Sequence, residues 1–211
     1  MTQRRRCERC ARPAAHCLCS LIPSLGSDTR VLILQHPDES RHALNTARLA
    51  ALGLGNAELQ IGEVFPDLPA LLSRPGYRSC LLFPGPQAHI LGAVTLPLAE
   101  PLQLVVPDGS WRKARKLLHL NPALAALPRV CLPQGLTSRY RLRKAPGAGA
   151  LSTIEAIVTA LNALEGDGRF DALLAPFEAL IEGQIQAMGA ETFQRNHAGV
   201  DLSGGLKESG E

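Results

Sequence analysis

The stretch that decides the fold is residues 103–111, which read Gln103-Leu104-Val105-Val106-Pro107-Asp108-Gly109-Ser110-Trp111. Its apolar first part predicts a buried strand that stops at Pro107, because proline cannot donate a hydrogen bond to a sheet ladder. Gly109 then permits a tight turn, and Ser110 is a typical N-cap residue of a helix. A buried strand followed at once by an amphipathic helix is typical of a parallel α/β sheet.

The same alternation continues along the chain. Further strands are predicted at 31–35, 80–83 and 129–132, with a weak one at 58–61. Helical spacing of apolar residues covers 41–54, 111–118, 152–164 and about 170–188. We therefore expect an α/β fold with a mainly parallel sheet and helices on both faces. Ligands of such sheets bind at loops that follow the carboxyl ends of strands. The unusual loops at those places are 84–89, 107–111 and 133–152.

Composition fits one globular domain with a small appendage. The chain has 211 residues, 45% of them hydrophobic, and a formal net charge of +3. A full core is therefore possible, and the mildly basic balance permits a polyanionic partner without requiring one. No apolar run reaches the roughly 18–20 residues that span a bilayer. Polar residues 7–10 stand where a signal peptide needs an apolar stretch, so we expect a cytoplasmic protein and no membrane partner.

Four of the six cysteines crowd the first twenty residues, as Cys7, Cys10, Cys17 and Cys19. Cytosolic thiols stay reduced, and four close thiolates can complete the tetrahedral shell of a structural zinc ion. Unbound thiols, or a redox pair at Cys7 and Cys10, are the alternatives. We expect a zinc-binding module at 1–25, a main domain at 28–190 and a disordered tail at 199–211. Arginines that suit either a phosphate backbone or a solvated surface surround the cluster, at Arg4, Arg5, Arg6, Arg9 and Arg12.

Asp108 is the first candidate for chemistry, because it lies at the carboxyl end of a strand and beside a helix N-terminus. Aspartate is also a common turn residue, so its position alone leaves both interpretations open. Trp111, the one tryptophan of the chain, is either a core anchor or a stacking surface for a base.

The stretch Leu151-Ser152-Thr153-Ile154-Glu155 is the second candidate. Ser152 and Glu155 have the spacing of a capping box, which explains both residues without a ligand. A helix N-terminus also offers N–H groups to an anion such as a ligand carboxylate. No Gly-x-Gly-x-x-Gly, phosphate-binding Walker loop or Gly-x-Ser-x-Gly elbow is present, so dinucleotide, nucleoside-triphosphate and serine-hydrolase chemistry lose their usual support.

Taken together, these motifs resemble the DTW-domain family, the tRNA-uridine aminocarboxypropyltransferases. The matching residues are the four cysteines, Leu34-Gln35-His36-Pro37 with Glu39, Asn45-Thr46, Asp108-Gly109-Ser110-Trp111, Tyr140-x-Leu142-Arg143, and Leu151-Ser152-Thr153-x-Glu155-Ala156. They occur in the family's order between about residues 7 and 165. Ser110 stands where the family name expects threonine, which keeps the hydroxyl and removes a methyl group.

The resemblance implies a SPOUT-like (knotted) fold that binds S-adenosylmethionine, and a reaction with tRNA. No obligate protein partner is evident in the sequence. The donor's 3-amino-3-carboxypropyl group would pass to N3 of a uridine, with methylthioadenosine released. The candidate catalytic residues are Asp108, as the base, and Trp111. The candidate donor-binding residues are Pro84, Gly85, Asp108, Gly109, Leu151, Ser152, Thr153 and Glu155. The candidate RNA-binding residues are Arg112, Lys113, Arg115, Lys116, Tyr140, Arg141, Arg143 and Lys144.

Two other functions remain compatible with the residues. A SAM-dependent RNA methyltransferase of the knotted class would share the fold, donor and substrate but release S-adenosylhomocysteine. A non-enzymatic zinc-knuckle RNA-binding protein would explain the cysteines and arginines, but it would leave Asp108 and the capped helix without a purpose.

Overall fold

Strands and helices alternate along most of the chain, as the sequence predicts. The structure is a computed structural model, and it describes residues 5–92, 100–140, 151–189 and 192. The strands are β1 (Arg30–Gln35), β2 (Ala57–Ile61), β3 (Arg78–Leu82), β4 (His89–Ile90), β5 (Leu102–Asp108) and β6 (Arg129–Cys131). The helices are α1 (Pro37–Ser40), α2 (Ala47–Gly53), α3 (Leu68–Leu72), α4 (Trp111–Leu120), α5 (Pro122–Ala125), α6 (Thr153–Glu165) and α7 (Leu174–Met188).

Across the described residues, the six strands form one sheet in the order β2-β1-β5-β3-β6-β4, and each neighbouring pair is parallel. Alternate side chains of β1 enter two different cores. Val31 and Ile33 pack with residues of α2, α6 and α7, whereas Leu32 and Leu34 pack with residues of α3, α4 and α5. Helices therefore cover both faces of a parallel sheet, which confirms the predicted α/β fold.

Two local predictions need correction, and one strand is missing from the prediction. β5 continues through Pro107 to Asp108, because the ladder to β1 is carried by its neighbours: the His36 N–H donates to the Asp108 carbonyl at 3.0 Å. The helix predicted at 41–54 begins only at Ala47, since the Asn45 side chain accepts the Arg48 N–H at 3.1 Å and ends the preceding turn. The two-residue strand β4 is too short for its pattern to show in the sequence.

The N-terminal cysteine segment packs directly on the sheet domain. Cys10, Leu18 and Ile22 are buried in the same core as β1, and Leu25 forms a parallel bridge with Leu54. The segment therefore shares its hydrophobic core with the main domain. Among the described residues, no helix combines the length and apolar character that crossing a bilayer requires. Arg4, Arg141, Arg143, Lys144 and the predicted tail at 199–211 lie outside the described residues.

Candidate functional site

The carboxyl ends of β1 and β5 bring Gln35 and Asp108 together. The two residues are direct partners in the parallel register, although 73 positions separate them in the sequence. Asp108 is buried, with 7% of its surface exposed. Helix α6 begins at the same edge, so the Asp108 motif and the Ser152 motif meet in one site.

Neutral donors hold the Asp108 carboxylate in place. The Gln35 side-chain amide donates to Asp108 Oδ2 at 2.8 Å, and the Thr153 hydroxyl donates to Asp108 Oδ1. Asn45 fixes Gln35 in turn, because the two side-chain amides exchange hydrogen bonds of 3.1 and 3.3 Å. Donors of this kind favour the ionised form of a carboxylate and fix its direction. Sequence reasoning assigned no role to Gln35 or Asn45, although both stand in the quoted motifs.

Gly109 and Ser110 turn the chain from β5 into α4. Gly109 has a φ of 152°, and a Cβ atom there would lie 2.9 Å from Lys113 Cβ. Ser110 caps α4, since its hydroxyl accepts the Lys113 N–H at 3.4 Å. The predicted turn and the predicted cap are both confirmed.

We expect Gly109→Ala to destabilise the turn that carries Asp108, because the added methyl group meets Lys113 in a backbone conformation that alanine rarely adopts. The expected loss is about 1–3 kcal/mol of unfolding free energy, read from urea denaturation. Gly135→Ala is the control for backbone strain alone, since Gly135 has a positive φ of 83° but open space around its Cα. Equal losses for the two variants would contradict the close approach to Lys113.

Trp111 lies at the surface, so the core-anchor interpretation is wrong. Trp111 is 42% exposed, because the first residue of α4 lies at the carboxyl end of β5 and does not pack over a face of the sheet. Phe83 meets it edge to face, with ring centroids 5.6 Å apart. The guanidinium of Arg129 lies 6.0 Å from the Phe83 centroid, within the range of a cation–π contact. An accessible aromatic surface therefore flanks the site.

The turn after β3 lies under the same arginine. The Arg129 Nη1 donates to the Pro84 carbonyl at 3.5 Å, and a Cβ atom on Gly85 would lie 2.7 Å from that nitrogen. Gly85 therefore lets Arg129 cover the turn closely.

The start of α6 has the predicted capping box. Ser152 accepts the Glu155 N–H, and the Glu155 carboxylate accepts the Ser152 N–H at 2.8 Å. Glu155 is 5% exposed and also accepts from the Ser138 hydroxyl and the Arg139 N–H. Its carboxylate thus ties the loop after β6 to the helix. Leu151 is half-buried beside it, and Tyr140 packs on Phe177 of α7 with ring centroids 5.7 Å apart.

The basic residues of α4 divide into two groups. Lys113 pairs with Glu39 at 2.8 Å, and Lys116 pairs with Glu63 at 2.8 Å. The hydrogen bond to Glu39 raises the pKa of Lys113, and the hydrogen bond from Lys116 lowers the pKa of Glu63. Arg112 and Arg115 are exposed, and neither pairs with an acid in the part of the chain described. These two arginines are therefore the cations of α4 that an anion reaches without displacing a carboxylate.

His36 is buried below this surface. Its Nδ1 accepts the Asp38 N–H at 3.3 Å, and its Nε2 lies 2.8 Å from Glu63 Oε1. These contacts give the His36 side chain a structural role in the turn that follows β1.

The four N-terminal cysteines converge. Their sulfur atoms all lie within 4.8 Å of one another, with Cys7–Cys19 at 3.5 Å and Cys10–Cys17 at 3.8 Å. A tetrahedral zinc ion with Zn–S bonds of about 2.3 Å needs sulfur atoms about 3.8 Å apart. The backbone hydrogen bond from Cys10 is the largest cause that lowers the pKa of Cys7, to about 6. The four cysteines therefore could hold a metal ion, and their geometry fits zinc.

The fold and the site together define an α/β domain with a buried carboxylate at the carboxyl edge of a parallel sheet. The chain belongs to the DTW domain family, whose profile matches residues 4–185. This match confirms the resemblance seen in the sequence.

Curated relatives cover most of this chain. The tRNA-uridine aminocarboxypropyltransferase 2 of Macaca fascicularis is 31% identical over 195 residues, which are 87% of this chain and 65% of the relative. The protein of the same name from Drosophila melanogaster is 33% identical over 194 residues, with 87% and 76% covered. The tRNA-uridine aminocarboxypropyltransferase A of Arabidopsis thaliana is 29% identical over 197 residues, with 79% and 75% covered. This chain thus spans about two thirds of the macaque relative. No solved structure matches it.

Proposed function

We propose that this protein transfers the 3-amino-3-carboxypropyl group of S-adenosylmethionine to N3 of a uridine in tRNA and releases methylthioadenosine. The observation that carries the proposal is the buried Asp108 carboxylate, held by Gln35 and Thr153 at the carboxyl edge of the sheet in a chain of the DTW family. The names of the curated relatives support the same reaction.

The proposed step is a nucleophilic displacement. Uridine N3 carries a proton, and it attacks the Cγ of the donor's methionine arm as that proton leaves. The bond between Cγ and sulfur breaks, and its electrons neutralise the sulfonium. The enzyme selects Cγ over the methyl carbon by presenting Cγ in line with N3. Asp108 is the proposed acceptor of the N3 proton, with Gln35 and Thr153 as the residues that position it.

Residues around Asp108 supply the proposed donor site. Ser152 and Thr153 begin a helix of thirteen residues, whose first N–H groups suit the donor carboxylate. Pro84 and Gly85 would shape the part of the site that binds the adenosine group of the donor. Gly109 would form the turn beside it. Leu151 and Glu155 would hold the loop against α6, since the Glu155 carboxylate already accepts protein donors. A SPOUT-like knotted arrangement belongs to this proposal.

Trp111 is the proposed stacking surface for the uridine. N3 is a pairing position in a duplex, so the target base must be unpaired or turned out. An exposed ring held edge-on by Phe83 at 5.6 Å is suited to stack on such a base. The other proposed RNA contacts are Tyr140, Lys113 and Lys116. Three more, Arg141, Arg143 and Lys144, lie outside the described residues.

We expect Arg112 and Arg115 to contact tRNA phosphates. Each change to glutamine should lower the slope of log affinity against log salt by about 0.9, the loss of one phosphate contact. Filter binding of tRNA over a series of KCl concentrations measures the slope. The matched control is Arg74→Gln. Arg74 is exposed and precedes the amino end of β3, whereas α4 begins at the carboxyl end of β5. A slope that falls equally in the control would contradict a phosphate contact on α4.

The proposal extends to the N-terminal module. We propose that a zinc ion is held by Cys7, Cys10, Cys17 and Cys19. Its role would be structural, because a closed shell of four thiolates leaves no open coordination position for catalysis. We keep residues 1–25 as this module and 28–190 as the catalytic domain, joined by the shared core.

The small-molecule product tests the reaction class. We expect methylthioadenosine when the protein is incubated with S-adenosylmethionine and unmodified tRNA, measured by liquid chromatography. S-adenosylhomocysteine in its place would identify an RNA methyltransferase. A protein that binds tRNA but gives neither product would be the zinc-knuckle RNA-binding protein.

A further inference from the structure

A basic cleft lies between the cysteine cluster, the turn that joins α1 to α2, and one face of α7. Its volume is about 290 Å³. Its described lining includes four arginines, Arg6, Arg12, Arg41 and Arg48, together with His16 and His42, and no aspartate or glutamate. A cleft with one sign of charge concentrates ligands of the opposite sign.

Arg12 is fixed in this cleft. Its Nε donates to the His16 carbonyl at 3.2 Å, and its Nη1 donates to the Ala43 carbonyl at 2.8 Å. These bonds connect the cysteine segment to the turn before α2, so both walls hold the guanidinium in position. A cation that is already oriented loses less conformational entropy when it binds an anion.

Arg48 lines the cleft with an unsatisfied donor. Its Nε is completely buried and has no hydrogen-bond partner among the described residues. Buried N–H groups in folded proteins almost always have a partner, and one without a partner calls for an explanation such as a ligand. Because that nitrogen is closed to solvent, an anionic oxygen in the cleft would meet the Nη atoms of the same guanidinium, which form no hydrogen bond or ion pair with the described residues.

The cysteine cluster does not cancel this charge. Four thiolates around a divalent zinc ion carry a formal charge of minus two, which the four arginines of the cleft exceed. Arg41 and Arg48 belong to the wall formed by the turn and α2, and not to the cysteine segment. The cleft therefore keeps a positive balance.

The cleft adjoins the candidate reaction site. Asn45 lines it and also exchanges hydrogen bonds with Gln35, whose amide holds Asp108 at 2.8 Å. Two side chains therefore separate the cleft from the proposed base. An RNA strand that places a uridine at Asp108 can have a neighbouring backbone phosphate in the cleft.

We propose that this cleft binds a backbone phosphate of the RNA substrate, with Arg48 and Arg12 as its principal donors. The guanidinium fork matches the geometry of phosphate oxygens, and arginine is the usual residue for this purpose. This inference rests on the proposed function, because it takes the RNA that reacts at Asp108 as the ligand. It adds a second contact surface, separate from α4.

Gly183 gives the sharpest test. It lies in α7 and lines the cleft, and a Cβ atom built on it meets nothing within 4 Å. Glutamate, glutamine and lysine all favour a helix interior over glycine, so these substitutions should fold. Gly183→Glu places a negative charge at the cleft, and Gly183→Gln is its neutral control of the same shape. Gly183→Lys reverses the sign, and Arg48→Gln removes the unsatisfied donor.

Filter binding of tRNA at several salt concentrations measures the affinity and the salt slope of each variant. We expect Gly183→Glu and Arg48→Gln to weaken tRNA affinity about fivefold to tenfold at low salt and to lower the salt slope by about one. Gly183→Gln and Gly183→Lys should keep at least the affinity of the unchanged protein. Equal affinities for the glutamate and glutamine variants would overturn the proposal.

Two further measurements distinguish a failure of the cleft proposal from a failure of the proposed reaction. Inorganic phosphate binding that Arg48→Gln abolishes, while tRNA affinity stays unchanged, would assign the cleft to a free anion and overturn the RNA proposal. Methylthioadenosine release is scored separately. A charge-dependent tRNA affinity without that product supports the cleft and contradicts only the proposed reaction.

Discussion

Asp108→Asn is expected to abolish transfer of the aminocarboxypropyl group in a protein that still folds and binds tRNA. Asparagine has the same shape as aspartate, and its oxygen can accept from Gln35 while its amide faces the Thr153 hydroxyl, which can turn to accept. The network that positions residue 108 is thereby kept, and only the acceptor of the N3 proton is lost. General-base catalysis typically contributes about 10²–10⁴-fold, so turnover should fall by at least that range.

The measurement is single-turnover transfer to tRNA with the donor saturating, together with the donor affinity from calorimetry. A lower rate with an unchanged donor affinity assigns Asp108 to the proton transfer. Loss of donor affinity would assign its carboxylate to the donor ammonium group instead, and unchanged turnover would remove Asp108 from the mechanism. Thr153→Val is the graded companion, because it removes one hydroxyl that holds the carboxylate and should slow transfer by about tenfold.

Cys10→Ser is expected to release the metal ion and to destabilise the whole domain. Cys10 is 3% exposed and packs in the main core with Leu18 and Ile22, so loss of the metal ion loosens both the module and the core. A structural zinc site contributes directly to folding free energy. A loss of about 4 kcal/mol would lower the melting temperature by about 10 °C in a chain of this size.

Metal content and thermal unfolding measure this prediction together. The unchanged protein should hold about one zinc ion per chain, and Cys10→Ser should hold much less. Cys131→Ser is the matched control, because Cys131 lies on β6 outside the cluster and its loss should leave the zinc in place. A protein purified under reducing conditions without metal would contradict the zinc site and support the unbound or redox thiols.

Local chemistry made much of the site predictable from the sequence. The order of strand, glycine turn and serine cap from 103 to 111 depends on neighbouring residues, and the structure has each of these features. The capping box of Ser152 and Glu155 and the convergence of the four cysteines are equally local.

Contacts between distant segments could not be predicted in this way. Gln35 holds Asp108 only because β1 pairs with β5, and the order of strands in a sheet is not a local property. The ion pairs of Lys113 and Lys116 join residues 74 and 53 positions apart, so a run of basic residues on α4 does not show which of them are already paired. Trp111 has the same helical spacing as the buried residues Ala114 and Leu117. Its ring nevertheless lies outside the core, because α4 begins beyond the carboxyl end of β5, and spacing alone does not reveal this.

We propose that this chain delivers the aminocarboxypropyl arm, and not the methyl group, to a uridine. Mass spectrometry of nucleosides tests it directly, after incubation of unmodified tRNA with S-adenosylmethionine that carries one isotope label in the methyl group and a different one in the carboxyl group. We predict that uridine gains the aminocarboxypropyl mass with the carboxyl label, and that the methyl label leaves in methylthioadenosine. A nucleoside that gains only the methyl label would identify a methyltransferase and rule out transfer of the aminocarboxypropyl group.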